Sequence, residues 1–338
     1  MSERTTAGRR PTIRDVAAAA GVSRGTVSRY MNGGHWVSPE ARTAIEDAIA
    51  RTGYTANQHA RSLATGRADS LAFLVTEPQQ LLFADPTFAR LLKGAAEALA
   101  QRSMTLVLLV ASTPAERETV THFVQAGHVD GVMLISSHEA DPLLEKLVAA
   151  GVPTVSCGIP LGHDVEVGTV SVEEEESART MVRYLRERGY RRIAMIAGPA
   201  DTPGGRYRLK GFRDELGDAF DPDLVADGDY SFASGANALE QLLRADRDFD
   251  AVFAANDLMA AGAVSALRRA GLRVPDDVAV AGFDDSGLAE TNEPPLTTMR
   301  QPWERISAEM VSLLLEAVEG ATPRAVTLPT TLVRRASA

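Results

Sequence analysis

"GVSRGTVSRYMNGG", Gly21 to Gly34, sets Arg24 and Arg29 among Ser23, Thr26 and Ser28, with no acid, in a chain whose formal charge is -10. Its surroundings spell three short helices. Upstream, "TIRDVAAAA" opens on Thr12 with Asp15 three residues on, a short-acid capping box, and puts Ile13, Val16 and Ala17 on one face. Gly21 ends that helix, and Ser23 can cap a second one through about Tyr30. In "VSPEARTAIEDAIARTGY", Ser38 is an N-cap, Pro39 takes the first helical position, Glu40 suits the positive end of the dipole, and Gly53 stops the helix. Two helices joined by a tight turn at Gly21, with a third behind them, predict a helix-turn-helix.

Charge gives this head a partner. Residues 1–67 hold ten Arg and five acids, and the other 271 residues carry a net of -15. A basic head on an acidic body predicts a polyanion partner for the head alone. The second helix of a helix-turn-helix lies in the major groove. There Ser23, Arg24, Thr26, Ser28 and Arg29 supply hydroxyls for phosphate and guanidinium forks for phosphate or guanine.

Beyond a polar stretch, "NQHARSLATGRADS", the rhythm changes at Leu71. Apolar runs ("LAFLV", "TLVLLV", "GVMLI", "PTVSC", "RIAMIAG", "AVFAAN", "VAVAGF") alternate with helical patterns over Phe88–Arg102, Pro114–Ala126, Pro142–Ala150, Glu173–Arg188, Ala233–Arg244 and Leu258–Ala270. Strands buried on both faces, each followed by a helix, predict parallel α/β sheets, and the length predicts two subdomains. Ligands of such sheets bind beyond the carboxyl ends of strands. Ser136 and Ser137, Asn256 and Asp257, and Asp284 and Asp285 fall there.

Several classes drop out. One cysteine, Cys157, allows no disulfide framework or multi-cysteine zinc site, and the six histidines lack metal-ligand spacing. No apolar run approaches the roughly 18–20 residues that span a bilayer. "MSERTTAGRR" is polar and lacks a secretory signal's apolar segment, so a soluble cytoplasmic protein is expected. "GPADTPGGR" lacks the lysine and spacing of a phosphate-binding loop. No nucleophile, base and orienting group share one motif, so neither an enzyme nor a cofactor, metal or membrane partner is predicted.

The chain resembles the LacI/GalR family of ligand-responsive repressors. "TIRDVAAAAGVSRGTVSRYMNG", "VSPEARTAIEDAIARTGYTAN" and "ARSLATGR" match that family's signature in order and spacing. "VDGVMLIS", "GPADTPGGRYRLKGF", "FAANDLMAAG", "VPDDVAVAGFDD" and "PPLTTMRQPWERI" continue the likeness. It implies a helix-turn-helix DNA-binding domain over 1–56, a hinge helix and linker over 57–69, and an effector-binding and dimerisation domain over 70–338. That body would be an α/β, two-lobed periplasmic-binding-protein-like module. Its N-lobe would take 70–171 plus 302–328, and its C-lobe 172–301 plus 329–338.

By the same resemblance, Thr12, Ser23, Arg24, Thr26, Ser28, Arg29, Asn32, Ser38, Tyr54, Asn57, Ala60 and Leu63 contact DNA. Leu63, in a hinge helix over Asn57 to Ala64 that folds on the operator, would wedge into the minor groove. Arg208, Asn256 and Asp284 would hold ligand hydroxyls with Ser136 and Gln301 nearby, while Phe88, Tyr230 and Trp303 offer apolar faces. A homodimeric repressor of sugar-utilisation genes, on a palindromic double-stranded operator and released by a small carbohydrate, is the implied function. The alternatives are a purine or other metabolite acting as co-repressor, or a sugar-binding protein of the same body that binds no DNA.

Three departures from the family pattern stand out. "NGGHWVS" carries an extra residue before Val37 and leaves open whether His35 or Trp36 approaches phosphate. Gly158, in "SCGIPLG", replaces a polar strand end. With Gly162 it predicts room for a second sugar ring, unless Ile159 or Leu161 fills it. Glu173-Glu174, where relatives often read Asp-Asn, is expected to favour a helix N-terminus rather than a ligand.

Overall fold

The computed structural model describes residues 11–31, 36–54, 66–139, 141–245 and 247–338. Asn32, Asn57, Ala60, Leu63 and the hinge helix expected over 57–64 lie outside the described residues, as does His35. The chain divides into two compact units, residues 1–68 and 69–338.

The first unit holds α1 (Ile13–Ala20), α2 (Arg24–Met31) and α3 (Pro39–Thr52). Gly21 closes α1 at φ 67°, the left-handed conformation that a glycine adopts without a Cβ clash. The Asp15 carboxylate accepts the Thr12 amide at 2.7 Å, and the Ser38 hydroxyl accepts the Ala41 amide at 3.2 Å. Val16, Ala17, Val27, Val37, Ile45 and Ala48 form one buried core. Two side-chain bonds cross it: Arg51 donates to the Ala19 carbonyl and Tyr30 to the Glu46 carboxylate, each at 2.8 Å.

The second unit is built on two six-stranded sheets. The first lobe runs β1 (Ser70–Val75), α4 (Gln79–Ala84), α5 (Pro86–Ala100), β2 (Thr105–Val110), α6 (Pro114–Gln125), β3 (Gly131–Ile135), α7 (Leu143–Ala149), β4 (Thr154–Cys157) and β5 (Gly168–Val172). The second runs α8 (Glu174–Glu187), β6 (Ile193–Ala197), α9 (Pro203–Leu216), β7 (Val225–Asp227), α10 (Phe232–Arg244), β8 (Ala251–Ala254), α11 (Asp257–Arg269), β9 (Ala279–Asp284), α12 (Leu288–Thr291) and β10 (Thr297–Arg300). Then α13 (Trp303–Val318) and β11 (Ala325–Leu328) return to the first lobe, and β12 (Thr331–Val333) to the second. The sheet orders are β11-β5-β4-β3-β1-β2 and β12-β10-β9-β8-β6-β7. Every pairing is parallel except β12 with β10. The chain therefore crosses between lobes three times, after β5, β10 and β11.

Central strands are buried along their whole length, as their unbroken apolar runs require. The expectation fails at β2. As the last strand of its sheet it has a neighbour on one side only, and Leu108 is 41% exposed. A second difference is α9, whose three glycines hide a helix. A Cβ at Gly205 would stand 2.1 Å from the Pro199 carbonyl oxygen, and one at Gly211 would stand 2.2 Å from that of Glu175. The glycines let this helix lie against its own entry loop and against α8.

Candidate functional site

In the head, α2 presents its polar residues outward. Arg24 and Arg29 are exposed, and Arg24 makes no hydrogen bond or ion pair among the described residues. The Arg29 Nε donates to the Gly25 carbonyl at 3.2 Å, and the Ser23 and Thr26 hydroxyls pair at 2.8 Å. Ser38 caps α3, and Tyr54 is half-buried against the three-helix core. Trp36, beside the extra residue, is 89% exposed.

The body's parallel strands end, at their carboxyl sides, on a cleft between the lobes. Phe88, Ser136, Arg208, Tyr230, Asn256, Asp284, Gln301 and Trp303 all line it. Asp257 and Asp285 do not. The Asp257 carboxylate turns into the second lobe and accepts the Asp285 amide at 2.7 Å and the Thr298 hydroxyl at 2.6 Å. Asp285 is taken by Arg300 and Arg335 at 2.6 and 2.8 Å.

Arg208 is the electrostatic centre of the cleft and is only 5% exposed. Its Nε and Nη2 donate to Glu174 at 2.6 and 3.3 Å, its Nη1 to the Ala255 carbonyl at 2.6 Å, and its guanidinium lies 3.6 Å from the Phe283 ring centre. Burial works against the charge, but the Glu174 and Asp284 carboxylates outweigh it and hold the group more basic than usual. Two of its five N–H groups remain for a ligand.

Asp284 is a hub. Gln301 donates to its Oδ1 at 2.8 Å and the Trp303 indole to its carbonyl oxygen at 3.0 Å, which fixes the ring at the cleft wall. Its Oδ2 has no hydrogen-bond partner among the described residues. Burial pushes its pKa well above the usual carboxylate range, against the pull of Arg208. Asn256 is already engaged: its side chain caps α11 at Met259 and donates to the Tyr230 carbonyl at 3.0 Å. It positions the Tyr230 loop as well as lining the cleft.

Ser136, Tyr230 and Asp284 have φ of 64°, 67° and 111°. Side-chain-bearing residues rarely adopt such angles, and each costs about 1–3 kcal/mol. Three such positions lie on the one cleft.

The sequence reading missed other lining groups. Glu174 opens α8, as expected of an acid at a helix N-terminus, but its carboxylate also turns into the cleft to pair with Arg208. Asp85 caps α5 through the Thr87 amide at 2.9 Å, and burial raises its pKa. The buried Thr87 hydroxyl has no partner among the described residues. Of the two glycines expected to leave room for a second ring, Gly158 lines the cleft and Gly162 does not. A Cβ at Gly158 would meet Pro203 from the opposite lobe at 3.4 Å, and one at Gly162 would meet the Glu139 side chain at 2.9 Å. The Cys157 thiol, on the same wall, is pushed up to about 12 by burial and stays protonated.

A polar clasp joins the lobes beside the cleft. His138, after β3, bonds Glu77 of its own lobe at 3.0 Å and Asp201 of the other at 2.9 Å. The Glu139 amide donates to the Asp201 carbonyl at 2.7 Å, and Arg206 pairs with the Glu139 carboxylate. The Glu77 bond, outweighing desolvation, raises His138 to about 9. Because the folded pKa lies above the unfolded value near 6.5, the stabilisation is complete below about pH 6.5 and lost as pH rises through about 9. The melting temperature of the wild type relative to His138→Gln should therefore shrink from pH 6.5 to pH 9.5. A difference constant with pH would show that His138 is not charged in the clasp.

Helical head and two-lobed α/β body together define a ligand-responsive DNA-binding regulator, and the chain belongs to the LacI family. The family model for bacterial regulatory proteins of the lacI family matches residues 12–57, and one for a periplasmic binding protein-like domain matches residues 182–338. The HTH-type transcriptional regulator CelR of Thermobifida fusca is 45% identical over 324 residues, covering 95% of both chains. The HTH-type transcriptional repressor CytR of Escherichia coli is 34% identical, over 91% of this chain and 90% of its own. Among solved structures, a CelR–cellobiose complex superposes with a TM-score of 0.78 at 43% identity, over 97% of this chain and all of the other. The lac repressor dimer bound to operator and the anti-inducer ONPF gives 0.85 at 28% identity, over 97% and 99%. Among the described residues, no helix is long and apolar enough to cross a membrane.

Proposed function

We propose that the chain is a cytoplasmic, homodimeric repressor of sugar-utilisation genes, without enzymatic activity, that leaves a palindromic operator when a di- or oligosaccharide fills the interlobe cleft. The convergence of the Arg208 and Asp284 forks with Trp303, Tyr230 and Phe88 carries this reading. A sugar ring presents equatorial hydroxyls to such forks and a flat C–H face to aromatic side chains. The cellobiose in the CelR complex supports it. The lac repressor dimer supports the second copy, and exposed Leu108 on the edge strand β2 supplies an apolar surface for it.

An effector moves such an equilibrium only by binding its two states differently. The two states would be lobes joined, as the clasp holds them, and lobes parted, with ligand contacts from both lobes favouring the joined one. The segment over 57–64, with Asn57, Ala60 and Leu63, would pass that change to the head, where Thr12, Ser23, Arg24, Thr26, Ser28, Arg29, Asn32, Ser38 and Tyr54 hold the DNA.

Calorimetry with cellobiose, other disaccharides and nucleobases tests the effector. Heat from a disaccharide at micromolar concentrations is expected. Heat from a nucleobase alone would replace the sugar by a purine co-repressor. For the head, operator affinity should fall roughly tenfold or more between 50 and 200 mM salt, because counterions are released from the phosphates that its arginines neutralise. Affinity independent of salt would contradict this electrostatic account.

A further inference from the structure

We infer that the Glu174–Arg208 pair makes this cleft selective for uncharged sugars and excludes their phosphorylated forms, an inference that rests on the cleft being the effector site. The charged lining is one-sided. Asp85, Glu174 and Asp284 face a single lining cation, Arg208, while Glu77 is already paired with His138 beside the cleft. That cation is already neutralised: Glu174 takes it in a two-point fork and the Ala255 carbonyl takes a third N–H. A phosphate would have to displace Glu174 or sit unpaired beside it, with Asp284 3.7 Å from the same guanidinium.

Burial strengthens the repulsion. The Glu174 and Arg208 side chains are 15% and 6% exposed, so water screens an incoming anion poorly. The remaining Arg208 N–H groups and the free Asp284 Oδ2 suit hydroxyls, which donate and accept without adding charge. Glu174 therefore acts as a specificity residue, and replacing it with a neutral amide frees the guanidinium fork for an anion.

The test uses the full chain, wild type and Glu174→Gln, with cellobiose and cellobiose 6-phosphate in calorimetry. Thermal shifts with inorganic phosphate at matched ionic strength form a second arm. In the wild type the phosphorylated sugar should bind about 100-fold more weakly than the neutral one, the scale expected for like charges held together. Glu174→Gln should narrow that gap by about tenfold or more, and phosphate should stabilise this variant alone. Equal wild-type affinities for the two sugars would overturn the inference, and that comparison needs no variant. So would a phosphate-induced shift in the wild type, or no shift in either protein. If neither sugar gives heat, the disaccharide reading fails separately. The phosphate arm then decides charge selection by itself.

Discussion

Replacing Arg208 with alanine is expected to abolish the response to the effector while leaving operator binding intact. Truncating one partner of a buried, hydrogen-bonded charge pair costs about 2–5 kcal/mol of binding, which is roughly 30-fold to several thousand-fold in affinity. Arg208 sits at the upper end of that range because it is three things at once. It is the ligand fork, the counter-charge of Glu174 and Asp284, and a plate stacked on Phe283. Its loss also leaves two buried carboxylates without their cation, so the body should lose about 3–5 kcal/mol of stability. Both effects stay in the second unit, since the head has its own core. Titration calorimetry for the effector and fluorescence anisotropy for the operator, below the variant's melting temperature, separate the two. An Arg208→Ala protein that still binds and responds would remove Arg208 from the effector site.

Arg24→Ala should relax sequence specificity at one symmetric base pair of the operator. Arg24 follows the start of the recognition helix, is exposed, and has no competing partner among the described residues. Gly25 beside it has no side chain to block a groove. A bidentate arginine–guanine contact is worth about 1–3 kcal/mol of discrimination. Affinity for the four bases at that position should therefore converge, while other positions keep their preferences. Uniform weakening on every sequence would show instead that Arg24 binds phosphate.

What the sequence made legible depended on how local each signal was. The head is written in consecutive residues, since its caps at Thr12, Ser38, Gly21 and Gly53 lie next to the helices they bound. The central strands β1, β3, β6, β8 and β9 are continuous apolar runs and read directly. Short polar strands such as β10, "TTMR", carry no such run, and α9 hides behind glycines whose need arises only where Gly211 meets α8. The cleft divides the same way. Arg208, Asn256 and Asp284 fall at strand ends or in motifs and converge in the fold. The second role of Glu174 depends on a partner 34 residues away, and the His138–Asp201 contact spans 63. Of the glycines expected to leave room, Gly158 lines the cleft while Gly162 faces Glu139 away from it, a difference that depends on residues distant in the chain.

The central claim is that a neutral sugar in the cleft releases the head from its operator, and one titration addresses it directly. Full-length protein is bound to a labelled palindromic duplex selected from genomic DNA, and anisotropy is followed as cellobiose is added at fixed salt. The account predicts a saturable fall in operator occupancy in the wild type and none in Arg208→Ala. Occupancy that stays constant with disaccharides, or that rises when a nucleobase is added, would contradict it.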